Sequence, residues 1–146
     1  KFKLKNYHIS MTKSLLLCFF LASIIFLIID VIWLSITVKT IYRPALGLLI
    51  NDKPVMWAAA LFYIVYVVSL TLIILRPALA DESVFQAFWT GAVFGIVTYG
   101  TYNLTNMATI KDWSPTIVWI DMIWGGFLTS FVSSISIYLT KTFFPS

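Results

Sequence analysis

Four long apolar runs separated by short polar breaks set the pattern of this chain: residues 14–38, 56–75, 84–107 and 116–140. A helix needs about 20 residues to cross a hydrocarbon core at ~1.5 Å rise per residue. The pattern therefore predicts an all-α membrane protein, four transmembrane helices in an up-down bundle with short loops. One domain, 14–140, lies between a basic tail over 1–13 and a short C-terminal tail over 141–146. In the first loop, Asn51-Asp52-Lys53-Pro54 reads as a turn, and the apolar piece Leu46–Ile50 reads as lying along the interface. Arg76-Pro77 is expected to stop the second run, and Pro115 to start the last helix. The first run is too long for the core of a signal peptide and carries no small-residue cleavage site. Three hairpins put both ends of the chain on one face of the membrane, the terminal side, opposite the loop side.

The polar positions inside the runs carry the functional information. In the third run, Tyr99, Tyr102, Asn103 and Asn106 fall at i, i+3, i+4 and i+7, one face of a helix. Unpaired hydroxyls and amides are costly against lipid, so this face is expected to look inward. Asp30 lies roughly 13 Å and Asp121 roughly 9 Å from the loop side, counted along their helices. Tyr63 and Tyr66 come early in a run that starts on that side. All four helices thus place polar groups in one half of the bilayer. The other half holds small residues (Gly91, Gly95, Gly126, Ser130, Ser133), which let helix backbones approach closely. Ile29-Asp30-Val31-Ile32-Trp33 is echoed by Ile120-Asp121-Met122-Ile123-Trp124. The order of the runs does not fit a duplicated two-helix unit, so the echo reads as like demands on two antiparallel helices.

Composition agrees with the membrane class. The 146 residues are 60% hydrophobic and 11% charged, against about 25% charged in soluble domains. The net charge of +4 is no sign of nucleic acid, because the lysines and arginines sit near the ends of the runs. The single cysteine, Cys18, leaves no intrachain disulfide or cysteine metal site and is expected to pack as a small hydrophobe. No nucleophile–base set is visible: the only histidine, His8, is in the tail. The sequence names neither a cofactor nor a metal. Trp57, Trp89 and Trp113 near the run ends suit an aromatic belt, while Trp33, Trp119 and Trp124 lie deeper.

An aspartate at mid-helix costs about 2.5–3.5 kcal/mol to insert, so Asp30 and Asp121 are candidates for function. The plain alternative is that they staple helices through hydrogen bonds. No lysine or arginine lies inside a run to neutralise them. Either Arg43 or a loop lysine folds over them, or at least one keeps its proton. The candidate ligand-binding set is Asp30, Asp121, Tyr63, Tyr66, Tyr99, Tyr102, Asn103, Asn106, Trp33, Trp124 and Arg43. A carrier or binding protein for a cation, a proton or a polar or lipid headgroup leads. A lipid-acting enzyme or accessory factor and a structural subunit of a larger complex are the alternatives. Expected partners are the bilayer, a small polar or lipid ligand and a second copy of the chain.

The segments Asp30-x-x-Trp33-Leu34, Tyr42-Arg43 with Leu46-Gly47, Phe62-Tyr63-x-x-Tyr66, Arg76-Pro77-Ala78-Leu79, Tyr99 through Thr109 and Asp121-Met-x-Trp124-Gly125 occur in that order. In this order the chain resembles the bacterial membrane family called domain of unknown function 2177 (DUF2177), over about 14–140. The resemblance implies a multi-pass protein of the bacterial inner membrane and brings no established activity. It also implies that some members carry Asp where this chain has Asn103. The terminal side holds six Lys and Arg against four on the loop side, which favours cytoplasmic termini; a start at Met11 makes it three against four.

Overall fold

The computed structural model describes residues 2–144, with side chains from Met11 onward. Every regular element among them is helical. Helix α1 spans Phe2–Thr37 and so begins inside the segment expected as a tail; the side chains of Lys1, Lys3, Lys5 and His8 lie outside the described residues. Two stripes run along it at i, i+4 spacing. Cys18, Ala22, Phe26 and Asp30 are buried, while Leu16, Phe20, Ile24 and Ile28 are exposed. A helix apolar on both faces suits protein on one side and lipid on the other.

Helical structure continues past residue 38. A π turn over Val38–Tyr42 leads into α2, Arg43–Leu46, and a 3₁₀ turn over Gly47–Leu49. Gly47 ends α2 at φ 53°, where a side chain would be strained. The second run repeats the device: α3, Met56–Leu70, passes through a π turn over Thr71–Leu75 into α4, Arg76–Ala80. Arg76-Pro77 therefore does not stop the helix. The same four residues, Arg-Pro-Ala-Leu, follow both π turns. In each, the arginine N–H bonds the carbonyl five residues back, that of Val38 or Thr71. A proline ring in an α-helix collides with the carbonyl four residues back, and the wider turn ahead of it relieves that clash.

Helix α5 spans Val84–Thr109, with the Ser83 hydroxyl accepting from the Gln86 N–H at 3.1 Å as its N-cap. Helix α6 spans Pro115–Phe143 and starts at the proline expected to start it. Among the described residues, three helical stretches are long and apolar enough to cross a membrane: Met11–Leu49, Met56–Ala80 and Pro115–Phe143. Helix α5, at 26 residues, has the length but is not among the three.

Helix α6 is the central element, packed most extensively against α5 and next against α1. The contact with α5 depends on glycine. A Cβ on Gly95 would fall on the Gly125 carbonyl, and one on Gly91 would lie 2.9 Å from the Thr129 carbonyl oxygen and 3.0 Å from Ser133 Oγ. The small residues of the third and fourth runs do meet, and backbone lies nearly on backbone there. Phe26, Leu70, Ile74, Leu75, Leu128, Val132 and Ile137 form the middle of the apolar core. At the end of α6, Lys141 Nζ donates to the backbone carbonyl of Glu82 at 2.7 Å and lies 3.8 Å from its exposed carboxylate.

Candidate functional site

Asp30 continues the buried stripe of α1, and Asp121 lies on the buried stripe of α6 that includes Ile117 and Gly125. They are 5% and 6% exposed, and both line one cavity of about 550 Å³. All four carboxylate oxygens accept hydrogen bonds. Tyr63 donates its hydroxyl to Asp30 Oδ2 at 2.7 Å, and Trp124 donates Nε1–H to Asp30 Oδ1 at 3.2 Å. On the other acid, Tyr42 donates its hydroxyl to Oδ1, and Asn103 donates Nδ2–H to Oδ2 at 2.9 Å. Each carboxylate oxygen carries two lone pairs, so one acceptor position remains on each.

The two Asp-x-x-Trp segments serve each other. Trp33 and Trp124 stack with ring centroids 4.0 Å apart and planes inclined by 9°. Trp124 reaches the aspartate of the opposite helix directly. Trp33 reaches it through one intermediary, donating Nε1–H at 3.4 Å to the Tyr42 hydroxyl, which in turn donates to Asp121. Asn103 is held from its own helix as well, its amide donating at 3.1 Å to the Tyr99 carbonyl. Its Oδ1 is fully buried and accepts from no group among the described residues.

The expected residues divide into three groups. Asp30, Trp33, Tyr63, Tyr66, Tyr99, Tyr102, Asp121 and Trp124 line the cavity, with Asn103 behind Asp121. Tyr66, however, bonds Thr129 Oγ1 at 2.7 Å and Thr98 Oγ1 at 3.4 Å rather than either acid. The inward face of α5 is narrower than its spacing implies: Tyr102 is 59% exposed, with its ring edge-on to Trp113 at 5.8 Å. Trp113 is buried, whereas Trp57, Trp89 and Trp119 are exposed. Asn106 and Arg43 do not line the cavity. Arg43 pairs with Asp52 at 3.8 Å, both side chains open to solvent, so it does not fold over the acids.

Tyr42 is the partner of Asp121 that sequence reasoning missed. On α-helical spacing the buried positions after Asp30 run to Trp33, Thr37 and then Ile41. The π turn inserts one residue, so Tyr42 takes the inward place and Arg43 is turned outward. The signal was Pro44, which marks where regular spacing fails.

No cationic side chain pairs with Asp30 or Asp121 among the described residues. No group of three or more His, Cys, Asp or Glu stands close enough among them to hold a metal ion. What the arrangement offers is a pocket of free acceptors under aromatic walls.

Apolar helices long enough to cross a bilayer, with polar groups turned inward, define a helical membrane protein. The model of the predicted membrane protein family DUF2177 matches residues 15–138, and the chain belongs to that family. No curated protein and no solved structure matches it.

Proposed function

We propose that this is a four-span membrane protein, an up-down bundle, that binds a cationic ligand at Asp30 and Asp121. Helix α5 supplies the fourth span. Its 26 residues extend about 39 Å. Its threonines at 90, 98, 101, 105 and 109 return their hydroxyls to carbonyls four residues back, at 2.6–2.8 Å. Those hydroxyls are satisfied within the helix, which lowers the cost of facing lipid. Even-numbered spans put both termini on one side, and the excess of Lys and Arg there favours the cytoplasmic face of a bacterial inner membrane.

The observation that carries the reading is that two buried carboxylates from different helices share one cavity with no cation from the chain beside them. Staples alone would need no cavity. Their protein donors hold the carboxylates in place and leave one acceptor position on each oxygen for a ligand. Calorimetric titration of the purified protein with sodium, potassium and tetramethylammonium tests this. At least one should bind with heat that disappears in Asp30→Asn/Asp121→Asn, while circular dichroism and elution volume stay unchanged. No binding by any of the three or by an alkyl-substituted ammonium, or equal binding by the double variant, rejects the reading.

A further inference from the structure

Building on the proposed cation site, we infer that the ligand is a cationic amphiphile: an ammonium head at Asp30 and Asp121 and an alkyl chain in a groove between α3 and α5. Three observations converge on it.

Eight of the thirteen residues lining the central cavity are aromatic. Ring faces of Trp and Tyr attract a desolvated ammonium, which is larger and more weakly hydrated than a metal ion. Each carboxylate oxygen of the two acids keeps one lone pair that no described residue fills. A cation that donates or is attracted electrostatically fits that deficit. An anion does not, since no cationic side chain lines the cavity.

A second cavity of about 410 Å³ adjoins the first. It shares Phe62, Tyr66 and Thr98 with the central cavity, so the two have common walls. Leu61 and Val65, exposed on α3, form its outer lip, and Ser69 lies farther along. Its own lining holds no charged residue, so it has no partner for a phosphate. A molecule placed across both would have its charge at the acids and its hydrocarbon against α3 and α5, continuous with lipid. Sodium or potassium would leave the groove without a role.

Calorimetry in neutral detergent with hexyltrimethylammonium, tetramethylammonium and hexanol separates the possibilities. Burial of even part of a hexyl chain should make hexyltrimethylammonium bind about tenfold or more tightly than tetramethylammonium. Ser69→Phe, which fills the groove, should bring the two affinities together, and Asp30→Asn/Asp121→Asn should abolish both. Equal affinity in the wild-type protein, lost in the double aspartate variant, overturns the groove while the cation pocket stands. Sodium or potassium binding without either ammonium overturns the amphiphile and again leaves the pocket. Hexanol binding as tightly as hexyltrimethylammonium overturns the ammonium head. Failure of every cation overturns both this inference and the reading beneath it.

Discussion

Trp33 and Trp124 stack at 4.0 Å, and each indole N–H is committed to the aspartate of the other's helix, one directly and one through Tyr42. This crossed pairing explains why Asp-x-x-Trp occurs on both α1 and α6. An i, i+3 spacing puts acid and indole on one face of each helix. When two such faces meet, each acid finds the other helix's donor. Trp124→Phe keeps a ring to stack but leaves Asp30 Oδ1 without its donor. It should cost about 1–3 kcal/mol, the penalty for an unsatisfied buried acceptor. Thermal unfolding in detergent, with Trp119→Phe as the exposed control, measures it.

Tyr42→Phe is expected to be worse than Tyr102→Phe. The first removes both the donor to Asp121 and the acceptor of the Trp33 N–H, and should cost about 1–3 kcal/mol. The second alters a side chain 59% exposed and should change stability by less than about 0.5 kcal/mol. Equal melting temperatures for the two variants would show that the Trp33–Tyr42–Asp121 chain is not formed.

The α5–α6 contact gives a sharper contrast. A methyl at Gly95 meets the backbone carbonyl of Gly125, which cannot move without shifting a helix. At Gly100 the nearest atom is the flexible end of Met122, at 3.2 Å. Gly95→Ala should therefore lose about 1–3 kcal/mol to overpacking, and Gly100→Ala much less. Chemical denaturation of both variants decides this, and a milder loss at Gly95 would remove the close approach.

Much of this architecture is legible in the sequence because membrane helices announce themselves by length and hydropathy. Asp30 and Asp121 were legible for the same reason, as charges in runs that should hold none. The π turns were not. They shift the register by one residue, bringing Tyr42 in and sending Arg43 out to Asp52. Periodicity also overstated the polar face of α5, since Tyr102 sits at its margin and packs on Trp113 rather than on the acids. The groove between α3 and α5 has no linear signature, because it depends on how closely two helices approach.

Orientation is open to a direct check. A reporter active only outside the cytoplasm, fused after Ser146, should be silent, and the same reporter inserted after Asn51 should be active. Four spans also require both ends to report alike. An active C-terminal fusion beside a silent N-terminal one would mean that α5 does not cross.

Binding of a cation by Asp30 and Asp121 is tested most directly by a crystal structure with tetramethylarsonium, a heavy-atom analogue of tetramethylammonium. The account predicts an anomalous arsenic peak inside the central cavity, beside both carboxylates and bounded by Tyr63 and Trp124. A cavity without a peak, or arsenic found only at surface acids such as Asp52, Asp81 and Asp112, would contradict it.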